Sequence, residues 1–197
     1  CPAYQVAIGS SAITYSSPAT IGTAYGASGT FCDQALTSNT KRMASDGSSN
    51  GVITGAFKEG NSGAQTLRAY VITANGTGVV PSVSNAVDMI PGASGNIFFG
   101  ANTVYDSSRS TFVTAVGYGN NAYYATVFNS TLSGTTFTVG SGSTSLQSQN
   151  IYYDAIVTAY SEHSNNVLIA SNQNPVAAYR GVMYTPGTLE VGSFIGL

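Results

Sequence analysis

Chemistry in a chain with 7% charged residues has to come from few side chains. The carboxylates are Asp33, Asp46, Glu59, Asp88, Asp106, Asp154, Glu162 and Glu190, and His163 is the only histidine. Two acids facing each other across a sugar ring would give glycoside hydrolysis. Asp46 and Asp106, however, open two similar polar stretches, Asp46-Gly47-Ser48-Ser49-Asn50 and Asp106-Ser107-Ser108-Arg109-Ser110. An Asp starts a turn by accepting hydrogen bonds from its own downstream backbone, which explains both residues without a reaction. His163, beside Glu162, lies in a polar stretch of the same kind. Nucleophilic or metal chemistry there would need partners converging from elsewhere, and the sequence holds no Cys/His cluster to supply them. The reading is a solvated turn histidine, with no catalytic residue, no metal and no cofactor. The glycines of Gly140-Ser141-Gly142-Ser143 precede no helix signal, so they do not make a phosphate cradle.

Binding is the chemistry left. Tyr118, Asn120, Asn121, Tyr123, Asn172 and Asn174 are the best candidates, since aromatic faces beside amide side chains suit sugar recognition. The same residues are also ordinary in hairpin turns. Asn75-Gly76-Thr77 and Asn129-Ser130-Thr131 match the glycosylation acceptor pattern at Asn75 and Asn129. Cys1 and Cys32 form a disulfide in an oxidising compartment, or stay as two thiols; two cysteines do not decide between these.

Composition narrows the class. An ordinary soluble domain carries about 25% charged residues. Here Ser, Thr, Asn, Gln and Gly must supply solubility instead, a habit of secreted, cell-surface and virion proteins. With 43% hydrophobic residues the chain is not a disordered tract. Its six basic residues are scattered and the net charge is −2, so no electrostatic footprint for nucleic acid exists. No apolar run reaches the roughly 18–20 residues of a membrane span. There is no initiator Met and no signal peptide, as expected of a processed product or a fragment.

What positions these residues is a set of strands. No 11-residue window holds the i, i+3, i+4, i+7 helical pattern, whereas runs of four to seven β-formers recur between turn clusters. The runs also repeat in order. Asn96-Ile97-Phe98-Phe99 returns 54 residues later as Asn150-Ile151-Tyr152-Tyr153, and the segment from Tyr105 to Ala115 returns 55 residues later as Tyr160 to Ala170. Thr136-Phe137-Thr138-Val139-Gly140 returns 52 residues later as Thr188-Leu189-Glu190-Val191-Gly192. An earlier copy sets Asp46 through Ala56 opposite Asp106 through Val116, 60 residues on, and 4–15 matches only the second half of a unit.

The chain is thus expected to be all-β, an array of about three and a half blocks with boundaries 1–27, 28–91, 92–147 and 148–197. Each block reads as a four-stranded antiparallel blade of propeller type. Ile97–Phe99 and Asn102–Tyr105 read as separate strands, as do Ile151–Tyr153 and Ile156–Tyr160, and Gly78–Val80 as another. Phe112–Val116 and Val167–Ala170 are continuously apolar, the mark of strands buried on both faces, which places Val113 and Leu168 in dry layers between blades.

The stretch Tyr105–Gly140, notably Ala125-Thr126-Val127 and Ser133-Gly134-Thr135-Thr136-Phe137-Thr138-Val139-Gly140, resembles the tandem propeller-type repeats of bacteriophage tail fibres and related virion or adhesin proteins. Phe194-Ile195-Gly196-Leu197 is similar to the segment that closes such arrays, with Ser193 in place of Asn. The resemblance implies structure, attachment or display at an extracellular or virion surface, and transfers no catalytic residue. The alternative is a secreted lectin with pockets between blades. An incomplete array would leave a face and a strand edge open. The expected partners are therefore a second copy or the remainder of a longer parent chain, with cell-surface glycans under the lectin reading.

Overall fold

β-Branched and aromatic residues in short runs, broken by Gly, Asn, Asp and Ser, favour strands and tight turns. The structure is a computed structural model. It describes residues 2, 3, 5–8, 12–20, 31, 32, 43–58, 65–76, 79–84, 86–93, 97–119, 123–140, 142, 143, 151–173, 178–185, 190, 191, 195 and 196. Among them every regular element is a strand and every pairing is antiparallel.

The first four strands form a hairpin. In it β1 (Pro2–Ala3) pairs with β4 (Ala19–Thr20), and β2 (Val6–Ile8) with β3 (Ile13–Tyr15). Sheet I follows. Its centre is β7 (Asn50–Lys58) on β8 (Gln65–Thr73). The outer edge of β7 is shared by β5 (Phe31–Cys32) and β6 (Met43–Ser45), and that of β8 by β9 (Ser82–Val83) and β10 (Val87–Ala93). Sheet II runs β11 (Ile97–Asp106), β12 (Thr111–Gly119), β13 (Tyr123–Ser133), with β14 (Thr136–Thr138) and β15 (Gly142–Ser143) both on β13. Sheet III repeats that order with β16 (Ile151–Ser161), β17 (Asn166–Gln173) and β18 (Ala178–Thr185). There β19 (Glu190–Val191) and β20 (Ile195–Gly196) share the edge of β18.

Two pairs of expected strands are in fact single bulged strands. In β11 the register slips between Phe98 and Gly100, and in β16 between Ile151 and Ile156, so the ladder bends and continues. Of the expected strand Gly78–Val80, Gly78 lies outside the described residues and Val79 and Val80 are not in a strand; the edge pairing falls on Ser82–Val83. The match between Asp46–Ala56 and Asp106–Val116 also needs a one-residue shift. Asp106 pairs with Thr111 across four residues. Continuing the Ser45–Gly51 ladder by one step would put Asp46 opposite Asn50 across only three. Beyond that shorter turn Val52, paired with Ala44, stands where Val113, paired with Val104, stands in sheet II.

The sheets stack face to face in chain order through two apolar layers. Val52, Leu67, Ala69, Val71 and Met89 of sheet I meet Ala101, Phe112, Val116, Phe128 and Phe137 of sheet II. On the other side Val104, Val113, Ala115 and Val127 meet Val167 and Ile169 of sheet III. Alternate residues of β12 enter alternate layers, which is why that strand reads as continuously apolar. Phe112 anchors the first layer, its ring 4.9 Å from Tyr105 and 6.1 Å, edge-on, from Phe137. Leu168 departs from expectation. It is 45% exposed on the outer face of β17, whereas its neighbours Val167 and Ile169 point into the layer and are buried.

Polar bonds tie each sheet to the next. The Oγ1 atoms of Thr54, Thr103 and Thr114 form a buried chain, 2.9 Å between sheets I and II and 3.0 Å within sheet II. Thr158 Oγ1 donates to Asn102 Oδ1 at 2.6 Å between sheets II and III. Asn50 Nδ2 donates to Gly134 O at 3.2 Å, and Gln5 ties the hairpin to sheet I by accepting from Asn75 N and donating to Gly76 O. Within sheet I the buried Arg68 donates from Nε to Asp88 Oδ1 at 2.7 Å. Contacts run from sheet to sheet, and among the described residues no ring closes. Among the described residues no helix is long and apolar enough to cross a membrane.

Candidate functional site

The turns at the ends of β6, β11 and β16 carry Asp46, Asp106, and the pair Glu162 and His163. Asp106 Oδ1 accepts from Ser108 N at 3.0 Å, Ser108 Oγ at 2.7 Å and Arg109 N at 3.3 Å, while Oδ2 accepts from Arg109 Nη1 at 3.0 Å. The carboxyl is fully buried and accepts four hydrogen bonds, all from Ser108 and Arg109 in the turn that follows, so it braces that turn. Asp46 does the same at lower burial, accepting from Ser48 N at 2.8 Å. In sheet III a hydroxyl substitutes: Ser161 Oγ accepts from Ser164 N at 3.3 Å. Ser110 and Asn165 close the second and third turns in the left-handed region, at φ 54° and 52°. Arg109 Nη1 then reaches Asn165 O at 2.7 Å, linking the two turns. Glu162 and His163 are exposed on the third turn.

Beside these turns lies a groove of about 510 Å³. Its lining crosses β6, β11 and β16, the strand before the turn in each sheet, at Ala44, Val104 and Ala159. Ser45, Tyr105 and Tyr160 stand next to them at the equivalent place in each unit, just before the turn. Ser107 and Glu162 line it from the turns, and Met43 from the start of β6. Tyr160 is held by its hydroxyl against Asn165 Oδ1 at 3.1 Å, and Tyr105 by its packing on Phe112. The described lining carries one carboxylate and no cation. A smaller apolar cavity of about 240 Å³ separates the hairpin from sheet I, with Gln5, Val6, Met43, Ile72 and Pro81 in its walls.

The described candidates Tyr118, Tyr123 and Asn172 do not line the groove. Tyr118 and Tyr123 lie at the far ends of β12 and β13, and Asn172 near the far end of β17, away from these turns. Asn120, Asn121 and Asn174 fall outside the described residues, as does Cys1, whereas Cys32 lies in β5. Asn75 is exposed, and its Nδ2 is committed to Val80 O and Ser82 Oγ, each at 2.8 Å. Asn129 is half-buried in β13 with Oδ1 turned away from solvent. A signal for the groove did exist in the chain: a tyrosine stands next to last in the strand before the turn in two successive units, at Tyr105 and Tyr160. No metal-binding cluster of His, Cys, Asp or Glu occurs among the described residues. No protein-family model, no curated protein and no solved structure matches the chain.

Proposed function

We propose that the chain is a non-enzymatic structural and attachment protein of an extracellular or virion surface, built from propeller-type blades in the manner of tail-fibre repeats. One observation carries this reading. Val113 and Leu168 hold the same place in successive sheets, two pairs from the turn, yet Val113 is 0% exposed and Leu168 45%. Val113 is covered by sheet III. The outer face of sheet III thus keeps the side-chain pattern of a face made to be covered by another such sheet. At the opposite end of the stack the hairpin exposes Val6, Ile13 and Tyr15. Faces of this kind drive association. The occupant is a second copy or a further blade of a longer parent chain. The acidic residues support the same reading, since Asp46 and Asp106 are consumed in bracing turns.

Light scattering on the 197-residue chain over a range of concentrations is the test. Association that is lost in Leu168→Asp, with the thermal transition kept, is expected. A monodisperse monomer at every concentration would overturn the association. The second reading, a carbohydrate-binding lectin, is favoured by the tyrosine-lined groove.

A further inference from the structure

We infer that the groove across β6, β11 and β16 is a binding site for a neutral oligosaccharide, an inference that rests on the attachment reading and gives it a contact surface. The charge of the lining comes first. Glu162 is its one ionisable acid and no Lys or Arg is among its described residues, so a phosphate, sulfate or sialic acid would meet no counter-charge. Arg109, on the adjacent turn, already spends Nη1 on Asp106, Ser108 and Asn165. A neutral polyol, by contrast, can donate hydroxyls to the Glu162 carboxylate and exchange hydrogen bonds with Ser107. Tyr105 and Tyr160 add apolar ring surface of the kind on which the C–H face of a sugar rests.

Direction then separates a sugar chain from a peptide. A peptide bound by strand addition runs along one edge strand. This groove runs across three, so one added strand could not follow it. Repetition sets the length of the ligand. The two tyrosines sit at one repeat position on neighbouring sheets, and packed sheets lie about 10 Å apart. That spacing gives two similar subsites on one ligand, too far apart for a monosaccharide to fill both. Both rings are also fixed in advance, one by Asn165 and the other by Phe112, so little side-chain freedom is lost on binding.

Calorimetric titration of the full chain with neutral oligosaccharides of increasing length, and with sulfated and sialylated ones of matched length, tests the inference. Neutral chains longer than a disaccharide should bind, and Tyr160→Ala should weaken them by about tenfold, the scale of one aromatic contact. Ser107→Trp, a substitution at an exposed turn position in the lining, should abolish binding by filling the groove while leaving the circular dichroism unchanged. Glycan binding that survives both variants would overturn the groove as the site and leave attachment standing through another surface. Binding confined to anionic glycans, or none at all, would overturn the ligand class, while self-association through Leu168 would still be measured separately.

Discussion

Gly140 offers the most quantitative check on the architecture, because a single methyl group there should loosen sheet II. A Cβ built on Gly140 would lie 1.7 Å from Asn129 O and 2.9 Å from Asn129 C. Both obstacles are backbone, so no rotamer change relieves them. Non-bonded heavy atoms settle near 3.5–4.0 Å, and the two segments would have to part by about 1.8 Å or more. Asn129 is not free to retreat, since it belongs to β13 and pairs with Val113 at the centre of the sheet. Overpacking against a fixed neighbour costs about 3 kcal/mol, at the upper end of the usual range. For a chain of this size that lowers the melting temperature by roughly 6–12 °C. Thermal and urea denaturation followed by far-ultraviolet circular dichroism would measure it, with two glycines as internal controls. Gly51→Ala meets nothing closer than 3.4 Å and should change stability by less than about 0.5 kcal/mol. Gly134→Ala has open space around it but φ +58°, so it should cost about 1 kcal/mol. If Gly140→Ala were no worse than Gly134→Ala, the close approach of the chain to Asn129 would be refuted.

Val113→Asp should unfold the protein, because an ionised carboxylate in the layer facing sheet III costs several kcal/mol against a marginal total stability; a cooperative transition near that of the parent would contradict the layer. His163→Ala, in an exposed turn, should stay within about 0.5 kcal/mol in the same assay. Thr103→Val removes the middle of the buried hydroxyl chain and strands Thr54 and Thr114, so a loss of about 1–3 kcal/mol is expected in urea titration. Ser130→Ala is its counterpart: the hydroxyl is buried without a hydrogen-bond partner, and its removal should be neutral or slightly stabilising.

The fold was legible wherever a residue's own strand decides its environment. Phe112–Val116 announces a strand covered on both sides because each face contributes its own apolar residues. Val167–Ala170 carries the same pattern, yet periodicity cannot say whether a neighbour is present, and so Leu168 was misplaced. Gly100 made one bulged strand look like two. Strand β10 includes Pro91 and Gly92, and β15 is Gly142–Ser143, residues that signal turns and are tolerated only because these are edge strands. The candidate site was harder still. Met43, Ser107 and Glu162 come from three different units and meet only because the sheets stack, information that no single window contains.

The polar bonds between sheets bear on a hazard peculiar to duplicated chains. Neighbouring copies with similar strands can exchange partners during folding, a known failure of tandem repeats. Apolar layers alone would not prevent this, since one aliphatic face accepts another with little discrimination. Thr103 and Thr158 occupy the same repeat position, but Thr103 bonds Thr54 on β7 whereas Thr158 bonds Asn102 on β11. Where sheet I has Thr54, sheet II has Ala115. A sheet docked on the wrong neighbour would bury a hydroxyl opposite a methyl group and forfeit the bond. Each junction is therefore keyed differently from the next, so the order of the copies is written into a handful of hydroxyls and amides.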